Sequence, residues 1–199
     1  MPAYLKIENP GVVPPEAITT LGVSMADTSK APGVIGQFGS GSKNSIALLL
    51  RNDLQPIIFA GTLKLEFSTR PQIVTDTQAT KHFERVVVKY GGTDPITGSS
   101  RSATEDLGFV LDFGKLDWDD ISMALREFVS NAIDRSIRET GNWSDVTVEV
   151  VDDNQVRAKA GLTRVFIPLT PEVLSLGGLS ERTHEAYLRR GKGSRNHYC

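Results

Sequence analysis

The sequence predicts an α/β domain, and three observations carry that expectation: a long amphipathic stretch from Asp117 to Glu139, a shorter, mostly apolar helical stretch from Lys43 to Leu50, and several runs with strand-like alternation. A length of 199 residues suffices for one domain with a sizeable core and is short for two large ones. The hydrophobic share of 39% and the charged share of 23% lie near globular averages, which speaks against a disordered chain and against a membrane protein.

Tyr4 to Ile7 reads as a short strand that ends in the turn-forming Asn9-Pro10-Gly11, and Pro15 to Leu21 as a short helix begun by its prolines. A polar stretch, Ser24 to Pro32, follows. Gly36 to Gly41 is glycine-rich and feeds directly into the apolar helix from Lys43 to Leu50. Pro56 to Thr69 alternates around Gly61 like a hairpin, and Glu84 to Tyr90 is a further β-rich run. Gly91 to Thr104 reads as a surface loop and Leu107 to Phe113 as another strand. In the long helix, apolar residues recur at Ile121, Leu125, Phe128, Val129, Ala132 and Ile133; Asp119 or Asp120 caps it and Gly141 ends it. Val146 to Val151 and Thr163 to Leu169 alternate like strands.

The formal net charge of −2 argues against a surface built mainly for nucleic acid, and the one clearly basic run, Arg189 to Arg195, reads as a solvated terminus. The single cysteine, Cys199, permits no intrachain disulfide and no cysteine-based metal site, so a reducing cytoplasm is the expected setting. No signal-like N-terminus and no apolar run of membrane-spanning length is present, so no membrane partner is expected. The ending RNHYC is abrupt, as it would be in the N-terminal part of a longer protein.

Two constellations could carry chemistry. Glu127, Asn131 and Asp134 stand four and three residues apart, which places a carboxylate, a carboxamide and a second carboxylate on one side of the long helix. Such a set can hold a water, a hard cation and a hydrogen-bonding ligand together, or can be a few exposed polar residues. The run Gly36-Gln37-Phe38-Gly39-Ser40-Gly41-Ser42-Lys43 is a glycine-rich turn before a helix start, where free amides and the helix dipole favour an anion. It is equally the composition of an ordinary turn. It is not a P-loop, because the spacing between its glycines is wrong for one.

Together, IGQFGSGSKNS (Ile35 to Ser45) and REFVSNAID (Arg126 to Asp134) resemble the glycine box and the asparagine box of the GHKL (Bergerat-fold) ATPase superfamily. KIENPGVV (Lys6 to Val13) is similar to that family's strand and adenine turn, and GTLKLEF (Gly61 to Phe67) to its threonine strand. The order differs: here the asparagine helix follows the other pieces instead of preceding them, which one circular permutation explains. Asn9 stands where the family has its aspartate, and Val13 replaces the second glycine of the turn.

The resemblance implies a two-layer α/β sandwich over residues 1 to 199, with a mixed, mostly antiparallel sheet and helices on one face. It implies ATP and Mg2+ as ligands and slow ATP hydrolysis coupled to a conformational change or self-association, with a non-hydrolysing nucleotide-binding module as the alternative. Asn131 would ligate magnesium, Glu127 would polarise the attacking water, and Lys43 would offset charge on the phosphates. Gly36, Gln37, Phe38, Gly39, Ser40, Gly41 and Ser42 would line the phosphates; Asn9, Gly11 and Thr62 would meet the base; Asp134 would orient the site. The stretch from Ser24 to Pro32 occupies the place of the family's lid. A phosphotransferase is disfavoured, since His82, His184 and His197 lie in no recognisable phosphoacceptor helix. The expected partner is a nucleotide, with a second copy or another protein as the object of any conformational change.

Overall fold

A computed structural model describes residues 3–20, 40–77 and 79–177. In chain order the elements are β1 (Ala3–Pro10), α1 (Pro15–Thr19), α2 (Gly41–Arg51), β2 (Ile57–Ala60), β3 (Leu63–Thr75), β4 (Thr80–Thr93), β5 (Ser100–Arg101), β6 (Thr104–Val110), α3 (Ile121–Thr140), β7 (Thr147–Asp152), β8 (Leu162–Pro168) and α4 (Pro171–Gly177). The strands form one eight-stranded sheet in the order β5-β4-β3-β2-β8-β1-β7, with β6 also pairing β4. Every pairing among the described residues is antiparallel, so the parallel component expected of a mixed sheet is absent there.

One face of the sheet and the helices share a single core. Leu5 and Ile7 of β1, Ile58 and Ala60 of β2, Leu63, Leu65 and Phe67 of β3, and Val165 and Ile167 of β8 are buried with Ile46 and Leu49 of α2 and Leu125, Phe128, Val129 and Ile133 of α3. The alternation of the strands puts these residues on one side, and the recurrence along α3 turns its apolar stripe onto them. Burying each Leu, Ile, Val or Phe side chain among them contributes about 1.5–3 kcal/mol. The opposite face carries a smaller cluster around Phe59, Val151 and Phe166, beside the ion-paired Lys6, Glu8, Glu149 and Arg164.

Two local devices fix the helix that matters most. The Asp120 side chain accepts from the Ser122 N–H at 2.8 Å and caps α3, which therefore starts at Ile121 and not at Asp117. Gly141, at φ 74°, closes its C-terminus with an N–H to the Ile137 carbonyl. The 111–118 segment that leads into α3 is fastened to α2: Arg51 donates to the carbonyls of Leu111, Phe113 and Trp118. The β2–β3 turn places Gly61 at φ 60° in the first of its two positions, a conformation natural only to glycine in a tight hairpin. β3 and β4 run further than the sequence suggests, and Gly91 to Thr104, read as a loop, holds the end of β4 and β5. No described helix is long and apolar enough to cross a membrane.

Candidate functional site

Along α3, Glu127, Asn131, Arg135 and Glu139 follow one another at four-residue steps and form one stripe about 18 Å long. The Asn131 Nδ2 donates to Glu127 Oε1 at 3.0 Å. A carboxylate only accepts, so this bond fixes the orientation of the carboxamide and leaves Oδ1, the acceptor, for another partner. Burial is the largest influence on Glu127 and pushes its carboxyl up from the ordinary value; the Asn131 bond lowers it, Asp134 raises it, and Arg126 and Lys43 lower it. Asp134 thus belongs to the same electrostatic group.

The N-terminus of α2 meets this stripe. A side-chain carbon built on Gly41 would overlap the Glu127 carboxylate, so the two approach as closely as they do because position 41 is glycine. Ser40 stands at the N-cap but makes no side-chain capping bond, and Gly41 and Ser42 open the first turn. Lys43 is fully buried, and its Nζ donates to the Ala17 carbonyl of α1 at 2.6 Å. Its ammonium is therefore already engaged with α1.

Burial holds Lys43 down at about 8 against an ordinary 10.5, with the Glu127 charge working in the other direction. Below pH 8 the lysine is protonated both folded and unfolded, and folding carries the full cost of burying the charge. Between pH 8 and 10.5 the unfolded chain binds more protons, so this group's contribution to stability rises with pH. The melting temperature of the wild type minus that of Lys43→Met should therefore be flat below pH 8 and climb across that window. A difference that stays flat to pH 10.5 would mean that no buried cation is present.

The turn after β1 lies against the other end of the stripe. Gly11, at φ 82°, has no room for a side chain beside Glu139 and Arg135, and Arg135 donates to the Val12 carbonyl at 2.9 Å. Asn9 is buried, and its Nδ2 donates to the Pro10 carbonyl at 2.7 Å. Thr62 does not join this group: it sits exposed in the β2–β3 turn, where its hydroxyl donates to the Thr93 carbonyl at 3.1 Å. The threonine beside Asn9 is Thr163 of β8, its partner in the β1–β8 register. Thr163 Oγ1 donates to the Gly11 carbonyl at 2.8 Å and accepts from the Val13 N–H at 2.9 Å, so it clamps the turn from both sides. Alternation in the run Thr163 to Leu169 hints that Thr163 faces the core, but which strand it would meet is not a local property of the sequence.

Gly41, Lys43, Glu127, Asn131 and Asp134 thus come together, with Ser40 and Ser42 at the same helix end and Gly11 farther along the stripe, while Asn9 is buried beside Thr163 at the end of β1. Gly36, Gln37, Phe38 and Gly39, the Ser24 to Pro32 stretch, and the basic run from Arg189 to Arg195 lie outside the described residues. Among the described residues no group of three His, Cys, Asp or Glu side chains could hold a metal ion. Asn131 Oδ1 suits a cation that arrives with oxygens of its own, as one carried by phosphates does. Comparison with protein families, with curated proteins and with solved structures gives no match for this chain.

Proposed function

We propose that the chain binds ATP with magnesium between α3 and the first turn of α2 and hydrolyses it slowly, in a circularly permuted arrangement of the GHKL (Bergerat) type. The observation that carries this reading is the contact between Gly41 and Glu127, which joins the glycine-rich turn and the asparagine helix across 86 positions of sequence (127 minus 41). A second observation supports the permutation. β7, which follows the asparagine helix, pairs directly with β1, so the stretches that a permutation separates in sequence are neighbours in the sheet.

In this reading Asn131 Oδ1 would hold the cation, and magnesium would neutralise charge on the phosphates it bridges. The amides at the start of α2 would meet phosphate oxygens, and Lys43 of the same helix would add its charge. Glu127, held away from bulk water and raised above the ordinary carboxylate range, would accept a proton from the attacking water. The turn from Gly11 to Val13, fixed by Thr163 and Arg135, would support the base beside Asn9. Energy from this cycle would act on a conformational change or on self-association.

Calorimetric titration with ATP, GTP and ADP, with and without magnesium, tests the reading; no binding of any of them removes it. Glu127→Gln should release phosphate at least a hundredfold more slowly than the wild type, an order expected for loss of a general base. If the wild type binds ATP and releases no phosphate, the chain is a nucleotide-binding regulatory module instead.

A further inference from the structure

The two ends of the sheet are built differently. At one end β5 is two residues long, and β6 meets β4 with a register shift between Arg85 and Val87 and holds Gly108 at φ 80°. Glu105 and Asp106 of β6 are tied into ion pairs with Arg101, Arg85 and Arg70. Short strands, irregular registers and charges are the usual means of stopping an edge from pairing with another chain. At the other end stands β7, which pairs only with β1 among the described residues. It contains no proline, lysine or arginine, and its register with β1 runs unbroken over six pairs. Its Glu149 is paired with Lys6, and its Val150 is 45% exposed.

The free edge is also self-complementary. Val146 and Val148 pack into the main core, Val150 follows on the same face, and Thr147 and Glu149 alternate onto the other, so the pattern is symmetric about Val148. Antiparallel pairing of two copies about a two-fold axis at Val148 sets that valine against its counterpart, Val146 against Val150 and Thr147 against Glu149. No like charges are then opposed. The neighbouring registers fail: a centre at Thr147 opposes Asp145 to Glu149, and a centre at Glu149 opposes the two Glu149 carboxylates. We propose that β7 is the surface through which two copies of this chain pair edge to edge, in the register centred on Val148, so that one sheet runs through both. The pairing rests on the edge alone and holds whether or not a nucleotide binds. Five residues of strand make an edge about 17 Å long, which falls among the small, reversible interfaces, so the dimer should dissociate on dilution.

Sedimentation velocity between about 1 µM and about 1 mM reads the association, and the wild type should pass from monomer to dimer across that range. Thr147 is exposed, and Thr147→Glu sets a carboxylate opposite Glu149 of the other copy, twice in each dimer. Dimerisation should weaken about tenfold, whereas Thr147→Lys, which sets an ammonium there, should not weaken it. Thr147 also lies opposite Glu8 within its own sheet, so melting curves of the dilute variants check that each is folded. In a Cys199→Ser background, Val148→Cys should form a disulfide-linked dimer under a mild oxidant, because directly opposed residues of an antiparallel pair lie about 4.5–5.5 Å apart, within disulfide reach. Glu149→Cys in the same background faces Thr147 instead of its own counterpart and should not crosslink. If Thr147→Glu does not fold, the two cysteine variants decide alone. A wild type that stays monomeric at about 1 mM, an undiminished dimer in a folded Thr147→Glu, or crosslinking of Glu149→Cys as ready as that of Val148→Cys overturns the proposal.

Discussion

Asn131→Ala should abolish the magnesium-dependent part of nucleotide affinity, a loss on the order of a hundredfold. Asn131 is half-buried on the α3 stripe with its Nδ2 committed to Glu127, so the atom it offers a ligand is Oδ1. No described group of three acidic or histidine side chains stands ready to take its place. Alanine also removes the donor that lowers Glu127, and the carboxyl should rise further. The fold should survive, because the change lies in a helix interior where alanine has the best propensity. Titrating ATP in magnesium and again in a chelator separates the two parts: the variant should match the wild type in chelator and fail to gain on adding magnesium. A full magnesium-dependent gain in the variant would place the cation elsewhere.

How much of this was legible in the sequence follows from what is local. The spacing of Glu127, Asn131 and Asp134 on one side of α3 is a matter of helical period, and Asp120 and Gly141 mark its ends by capping chemistry. The strands were legible wherever at least one face is buried: both in β2 and β8, one in the first half of β3. The outer half of the β3–β4 hairpin was not, since its residues are exposed on both faces and show no alternation. The separation of Thr62 from Asn9 and Gly11 was not legible for a different reason. Thr62 and Thr163 both begin strand-like runs, and their difference lies in which strand is the neighbour, which pairing over long sequence separation decides. The burial of Lys43 had no local signal either, because a lone lysine at a helix start usually keeps its ammonium in water.

Gly41→Ala should lose roughly a hundredfold in nucleotide affinity while melting as the wild type does, the loss corresponding to a few charge-assisted hydrogen bonds from α2 to phosphate. The glycine-rich turn as read from sequence allows a left-handed backbone at this position, but Gly41 opens α2 and is absent from the positive-φ glycines. The three nearest atoms that a methyl there would meet all belong to the Glu127 carboxylate. That is the end of a side chain, which can move aside at small cost. The methyl would also stand where a phosphate oxygen has to come close to the amides of the first turn, and that space cannot be restored by any rotamer. Gly11→Ala supplies the contrast. At φ 82°, with Glu139 and Arg135 packed against it, Gly11 cannot become alanine without backbone strain, so this variant should lose about 1–3 kcal/mol of stability together with any affinity. Melting curves of the ligand-free proteins and calorimetry with ATP and magnesium read both quantities. A Gly41→Ala protein that melts normally and still binds ATP like the parent would leave the start of α2 an ordinary helix end and remove the phosphate site from it.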